Sequence, residues 1–312
     1  MLGYKIAKNG DKRVVVTLEI PADALTNMDR SSIVVKETAK YRTNKAIVLK
    51  IEDEDGECYT TAESFIYAIK KLEYKVGELL EVPTYNTDPT NVFAEGIHFF
   101  LSRRVAELYG RTTVTNGLFE SWHDNGRKEQ EVPCVNGVRH GLFQTWHYNG
   151  QKHGEGTYVN GKPHGLFQTW WDDGKKLQEE TFVNGENHGL FQTWSCYGVK
   201  TAEFNYVNGK KHGLYQLWYG NGQKREELNY VNGEPDGLYQ EWWENGNRKK
   251  SCTFLNGYIH SLYQVWYENG NKKEETTLVY GELHGPYQYW SEDGTTGGEV
   301  RFVHGVRTSK KK

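Results

Sequence analysis

Eight tryptophans, Trp122, Trp146, Trp170, Trp194, Trp218, Trp242, Trp266 and Trp290, stand 24 residues apart with no insertion or deletion between them. Most of the unit recurs with the tryptophan. A glycine sits five residues before it, at Gly117, Gly141, Gly165, Gly189, Gly213, Gly237 and Gly285, with Ser261 the one departure. An aromatic residue sits three before it, from Phe119 to Tyr287. A second glycine follows four after, from Gly126 to Gly294, and a third fifteen after, from Gly137 to Gly305. Self-similarity at a fixed period is the signature of a repeat architecture, in which each unit is stable only against its neighbours.

One unit, residues 141–164, shows what repeats. Leu142 to His147 is a short run of aromatic and β-prone residues, followed by Asn149-Gly150. A second run ends Thr157-Tyr158-Val159, followed by Asn160-Gly161. Asn-Gly between such runs signals a hairpin with a type I′ turn, whose two central residues both need positive φ. The runs are too short and too glycine-bounded to be helices. Each unit therefore reads as strand, turn, strand, turn, and the array as a mainly β, elongated, single-layer antiparallel meander. Sixteen strands at ~4.8 Å spacing give a ribbon roughly 75 Å long.

Further columns run through the repeats. Six residues after the tryptophan is a basic one: Lys128, Lys152, Lys176, Lys200, Lys224, Arg248 and Lys272, broken by Thr296. Nine after it is an acidic one, from Glu131 to Glu299, broken by Ser251. Twelve after it the residue is aromatic at Tyr158, Phe182, Tyr206, Tyr230, Phe254 and Phe302. If the turn holds two residues, strand alternation puts Leu142, Gln144, Trp146, Glu155 and Val159 on one face. Phe143, Thr145, Lys152 and Tyr158 then fall on the other. Opposite charges at fixed phase suit cross-strand pairing.

This layout, N-G…G-x-[FY]-x-x-W…N-G, resembles MORN-type repeats of the variant whose bacterial relatives carry antitoxin labels. Asp236 departs from the histidine column His140, His164, His188, His212, His260 and His284, and Tyr280 and His304 stand where other units have Asn. The resemblance implies a non-enzymatic interaction scaffold, in some cases membrane-associated and often dimerising through its terminal repeats. The antitoxin label is not carried over.

Residues 1–111 are a different kind of sequence. Arg13 to Ile20 and Ala46 to Ile51 read as strands, the second ending in a turn at Asp53-Glu54-Asp55-Gly56. Residues 62–72 fit helix or strand, and Tyr74 to Pro83 reads as a strand around Gly77. Gly96 to Phe100 precedes a short helix with Ser102 as its N-cap and Gly110 as its stop. The order IPADA, AIVLKIEDEDGE, YKVGE and EGIHFF resembles an uncharacterised domain of giant DNA viruses, among which the Marseillevirus kind carries many MORN-type proteins. That resemblance implies a viral origin and no known activity. The division is an α+β N-terminal domain over 1–111, eight hairpin repeats over 112–307 and a basic tail over 308–312. The short join at Arg111 to Thr115 implies that the N-terminal domain docks on the first hairpin and caps one edge of the sheet.

Net charge is −3, which gives no electrostatic footprint for nucleic acid. No apolar run is long enough to span a membrane, and the first residues lack a signal-peptide core. Cys58, Cys134, Cys196 and Cys252 occupy different phases of the repeat and read as reduced thiols.

Chemistry is sparse. Equivalent histidines of successive hairpins lie roughly 9–10 Å apart, too far to share one metal ion, so they read as turn caps. His98 is the best single candidate for catalysis, but nothing stands at a diagnostic spacing from it, and a structural role is favoured. The 53–56 turn lacks the later Glu of a calcium loop. No catalytic residue, metal site, cofactor or small-molecule substrate is expected. The candidate binding residues are Trp146, Trp170, Trp171, Trp194, Trp218, Trp242, Trp243 and Trp266, an aromatic, lysine-edged face suited to contacts. The expected partner is a protein, or a second copy through the terminal repeats, with a membrane surface reached through the aromatic face as the alternative. The expected setting is host cytoplasm or virion.

Overall fold

In the computed structural model the described residues are 1–65 and 71–308. They form two compact units, Met1–His153 and Gly154–Lys312. Part of the ambiguous 62–72 stretch, and the tail at Lys310 to Lys312, lie outside the described residues.

The first unit opens with a hairpin, β1 (Leu2–Asn9) and β2 (Lys12–Glu19), joined at Gly10-Asp11. β3 (Lys40–Thr43), β4 (Lys45–Asp53), β5 (Thr61–Glu63), β6 (Glu73–Lys75), β7 (Leu79–Glu81) and β8 (Ile97–Phe100) complete an antiparallel sheet of order β3-β8-β1-β2-β4-β7. β5 and β6 pair beside β1. The expected strand around Gly77 is two short strands, because Gly77 turns the chain at φ +83°. Alternate residues of this sheet, Val14, Val16, Leu18, Tyr41, Ile51 and Phe99 among them, bury one core. Helix α1 (Arg103–Leu108) follows, with Ser102 accepting the Val105 N–H as its N-cap and Gly110 at φ +76° beyond its end.

The first hairpin of the array, β9 (Gly117–Trp122) and β10 (Lys128–Val135), belongs to this same unit. Leu108 packs with Phe119, Val132 and Cys134, while Val105 and Ala106 pack with Phe100 and Trp122. Arg104 reaches Glu120 and the Leu118 carbonyl on β9. The hairpin's turn is held as firmly. Val34 and Val35 N–H both donate to Asn125 O (2.9 and 3.1 Å), and Lys40 N–H donates to Asp124 O (3.2 Å). The short join thus works as expected, and the first hairpin lies against the N-terminal sheet domain.

β11 (Val138–Arg139), β12 (Gly141–Trp146) and β13 (Lys152–Val159) lead into the second unit. There β14 (Lys162–Trp170) and β15 (Lys176–Val183) set the pattern that recurs to Thr308, each strand pairing antiparallel with its sequence neighbours. Among the described residues of this unit no ladder joins first strand to last. The sheet is the long antiparallel meander that the 24-residue period implies.

The two Asn-Gly turns of a unit are not alike. At the second, Asn160-Gly161 and its equivalents, both residues have positive φ (51° and 78°), the expected type I′ geometry. At the first, Gly150 has φ +88° but Asn149 is not in the left-handed region. Gly150 N–H donates to His147 O, His147 N–H to Gln151 O, and Gln151 N–H to the Asn149 side chain. That is a three-residue loop, a type I turn closed by a left-handed glycine, and it corrects the type I′ expectation there. The glycine column five before the tryptophan marks a bulge at φ +81° to +115° (Gly165, Gly141), and Ser261 is forced to φ +79° in that role.

Candidate functional site

Turn length decides which side chains share the tryptophan face. The third loop residue brings Trp170 opposite Lys176, not opposite the residue after it. The same pairing holds for Trp194 and Lys200, Trp218 and Lys224, Trp242 and Arg248, and Trp266 and Lys272. A β-bulge one residue later restores the register, so Gln168 faces Glu179. The basic column therefore lies on the tryptophan face, not on the opposite one. It pairs with the acidic column along its own strand rather than across strands.

The resulting rung repeats. Lys200 Nζ lies 2.5 Å from Glu203 Oε2, and Lys272 Nζ the same distance from Glu275 Oε2. Lys128–Glu131, Lys176–Glu179 and Lys224–Glu227 match them. Gln168, Gln192, Gln216 and Gln264 donate to the same carboxylates at 2.6–2.9 Å. The lysine ammonium is the main cause holding Glu179, Glu203, Glu227 and Glu275 below the usual carboxylate range. Lys176, Lys224 and Lys272 also lie over the tryptophan of the next unit, at 5.4 Å from the Trp194 ring, 5.7 Å from that of Trp242 and 5.4 Å from that of Trp290.

All eight candidate tryptophans are half-buried. Trp170, Trp194, Trp218, Trp242 and Trp266 stand in this ladder of indoles and ammonium groups. Trp146 belongs to the first unit, under Lys128. Trp171 and Trp243 do something else. Their Nε1–H groups donate to the backbone carbonyls of Trp194 (3.3 Å) and Trp266 (3.2 Å). Tyr219 and Tyr267, at the same position in other units, donate to the carbonyls of Trp242 (2.8 Å) and Trp290 (3.0 Å). That column staples one hairpin to the next.

The histidine column also acts locally. Nδ1 of His164, His188, His212 and His260 accepts the backbone N–H of residue 184, 208, 232 or 280 at 3.4–3.5 Å, inside the I′ turn. His98 Nε2 donates to Val92 O at 2.9 Å, and burial, aided by Lys40 and Lys5, lowers its pKa to about 3. It is a neutral loop anchor. Asp53 is filled by Lys12, Tyr59 and the N–H groups of Asp55 and Glu57, which makes the acidic turn a closed hydrogen-bonded corner.

The opposite face is aromatic and inward-packed. Phe191 stacks on Phe204 (4.6 Å), which meets Tyr215 of the next hairpin (5.0 Å), and Tyr239 meets Phe254 edge-on. Leu228 and Cys252 are buried among these rings. One like-charge pair interrupts the face, Glu226 directly opposite Glu241. Glu241 is satisfied by Lys249 and Tyr239. No hydrogen bond or ion pair reaches Glu226 among the described residues. Burial first, and Glu241 among its neighbours, raise the Glu226 pKa. A carboxyl whose folded pKa is raised stabilises the fold below its unfolded pKa and loses that contribution as pH rises through the folded value. Glu226→Gln is therefore expected to raise the melting temperature at pH 7.5 and to leave it unchanged at pH 3.5, read by a calorimetric pH series. An equal rise at both pH values would contradict the assignment.

One exposed apolar surface was not singled out by the sequence. Leu166, Leu190, Leu214, Leu238 and Leu262, four residues before each tryptophan and on its face, are 39–55% exposed. Val159, Val183, Val207 and Val231, thirteen after it, share that face and are 38–42% exposed. Together they make an apolar stripe along the tryptophan ladder. Its signal was in the sequence, as a leucine column broken by Pro286 and an unbroken valine–leucine column on the face that also carries the ion pairs.

Residues 1–106 match a family of unknown function (DUF5758). Residues 139–160, 163–184, 211–232 and 235–256 match the MORN repeat variant. No curated protein matches the chain. No helix among the described residues is long and apolar enough to cross a membrane.

Proposed function

We propose that the chain is a non-enzymatic scaffold whose hairpin array binds a protein partner along the leucine–valine stripe. MORN repeats are in general protein- or lipid-interaction modules, and a MORN repeat beside a domain of unknown function suggests a non-catalytic protein. The observation that carries the reading is the stripe itself, apolar, exposed and at constant phase over five consecutive units. Against the ladder it has the anatomy of an interface, an apolar strip edged by polar groups. The lysines beside it favour a protein over an anionic membrane, because each paired ammonium is already neutralised by the glutamate three residues on. Self-association is a second protein-level reading. The last strand among the described residues, Val306–Thr308, pairs with Thr296–Val303, and Val306 on the one and Val303 on the other are exposed. We place the protein as a giant-virus structural or host-interaction component, acting in host cytoplasm or virion, on the resemblance of residues 12–110.

The test is affinity capture by the full chain beside a Leu190→Asp/Leu214→Asp/Leu238→Asp variant, with phosphatidylserine vesicles as a parallel arm. Exposed substitutions of this kind change stability by only about 0.5 kcal/mol each, so circular dichroism should match. A protein held by the wild type and lost by the variant supports the stripe as the contact surface. Equal capture by both removes it, and vesicle binding without protein capture transfers the reading to lipid.

A further inference from the structure

Lys211 is the one lysine in its column of the repeat. The equivalent residues are Arg139, Pro163, Asn187, Pro235, Ile259, Leu283 and Arg307. Its Nζ lies 4.2 Å from the centre of the Tyr215 ring, 5.0 Å from that of Phe204 and 5.2 Å from that of Tyr230. The three rings come from three successive long strands, Lys200–Val207, Gly213–Trp218 and Lys224–Val231. They also pack on one another, Phe204 on Tyr215 at 5.0 Å and Tyr215 on Tyr230 at 5.5 Å. Phe204 is buried and the two tyrosines are half-buried, so the sheet itself holds the walls around the ammonium.

A plain ammonium is poorly served in that place. Among the described residues no hydrogen bond or ion pair reaches Lys211 Nζ, so its three N–H donors face aromatic rings. An ammonium is strongly hydrated, and a desolvated donor without an acceptor is costly. Methyl groups on the nitrogen keep the charge, replace donors with apolar surface and leave the attraction of the rings intact. Aromatic rings gathered around one cation are the arrangement that recognises methylated ammonium groups. Burial lowers the Lys211 pKa, against the pull of Glu226, and so raises the fraction of neutral amine able to act as a nucleophile. Lys211 stands two residues beyond the Asn208-Gly209 turn, at the rim of the sheet, where its side chain can swing outward.

We propose that Lys211 is a site of Nζ-methylation, and that Phe204, Tyr215 and Tyr230 form the cage that holds the methylated side chain. The co-reactant is a sulfonium methyl donor, delivered by a separate methyltransferase. The Lys211 ammonium first gives a proton to water, and the nitrogen lone pair then attacks the methyl carbon. The N–C bond forms as the C–S bond breaks, and the sulfur leaves with the electron pair as a neutral thioether. The nitrogen is again positively charged and returns to the cage with fewer donors to satisfy. Modification thus fastens three neighbouring strands of the array without altering its net charge.

The experiment compares the full chain with Lys211→Arg and Lys250→Arg before and after reductive methylation by formaldehyde and a borane, which modifies lysine and not arginine. Lys250 is the control, since it lies over two rings, Tyr239 at 5.5 Å and Tyr263 at 5.1 Å. Methylation of the remaining lysines is common to all three chains, so the difference between them isolates one side chain. The change in melting temperature on methylation should be more positive in wild type and Lys250→Arg than in Lys211→Arg, by about 2–4 °C. Peptide mass mapping of the full chain expressed in eukaryotic cells should find methyl groups on Lys211. Equal changes in wild type and Lys211→Arg, an equal loss in Lys250→Arg, or an unmodified Lys211 in the chain from cells overturns the proposal.

Discussion

Gly126→Ala should destabilise the N-terminal unit by more than about 3 kcal/mol, whereas Gly198→Ala should cost only about 1 kcal/mol. The two glycines occupy the same place in the 24-residue unit and the same backbone conformation, φ +88° and +83°. A Cβ at Gly198 would find only the flexible Lys175 Cδ, at 3.9 Å. A Cβ at Gly126 would lie 1.9 Å from Val35 O and 2.8 Å from Val35 C, backbone atoms that cannot move alone. Room for the methyl requires the 34–40 segment to lift off the turn. The bonds from Val34, Val35 and Lys40 N–H and from the Thr38 hydroxyl would go with it. Each buried group left unpaired costs about 1–3 kcal/mol. Urea unfolding of the two variants, followed by circular dichroism, measures the difference. If both cost the same, the docking of this turn contributes nothing beyond the φ penalty.

That pair of glycines also shows why the fold was readable and its detail was not. A period of 24 residues states that every unit has one conformation, and alternation with short runs states that it is a hairpin. Nothing in those signals distinguishes a two-residue from a three-residue loop when both end in Asn-Gly. The distinguishing signal was weaker and lay in the columns. The first loop tolerates Asp173, Tyr197 and Asp293 before its glycine, since that residue need not enter the left-handed region. The second holds Asn in six of eight units because φ there is near +50°. One extra loop residue moved the lysines to the tryptophan face. It turned two supposed cross-strand tracks into a ladder of same-strand ion pairs, each worth about 0.2–1 kcal/mol.

The candidate surface was legible to a similar depth. Tryptophans draw attention because they are large and periodic, yet periodic contact with the next unit is what makes them ladder residues. Trp171 and Trp243 spend their one N–H on a neighbouring carbonyl. The aliphatic columns beside them look like ordinary strand residues, and only their exposure in the fold separates a leucine that is packed from one that is offered. In the N-terminal domain β2, β4 and α1 carry regular patterns and were found. β3, Lys-Tyr-Arg-Thr, was not, because its residues are polar and all four are buried. A strand whose charges are solvated by the fold itself has no hydrophobic pattern to read.

Arg42 in that strand carries the second large prediction. Its side chain is fully buried. One terminal nitrogen donates to Asn86 O (2.7 Å) and Glu95 O (3.0 Å), the other to Asp88 O (2.5 Å). The guanidinium lies over the Tyr85 ring at 4.8 Å. It thus replaces a hydrophobic core for the 85–96 segment, whose carbonyls point inward at a fixed fork of donors. Arg42→Met keeps much of the volume and leaves three carbonyls without donors, and should cost about 3–5 kcal/mol. Arg42→Lys should recover little, because a single ammonium cannot reach three carbonyls from the geometry of a planar fork. Arg104, which is exposed and pairs with Glu120, is the control, and Arg104→Ala should cost no more than about 1 kcal/mol. Urea midpoints order the three variants, and amide exchange localises the change. In Arg42→Met, protection should be lost first across residues 85–96 and at Asn27, whose side-chain oxygen accepts the Arg42 N–H. A methionine variant as stable as wild type would mean that the segment is held by its own turns, and that the buried charge is an expense without a structural return.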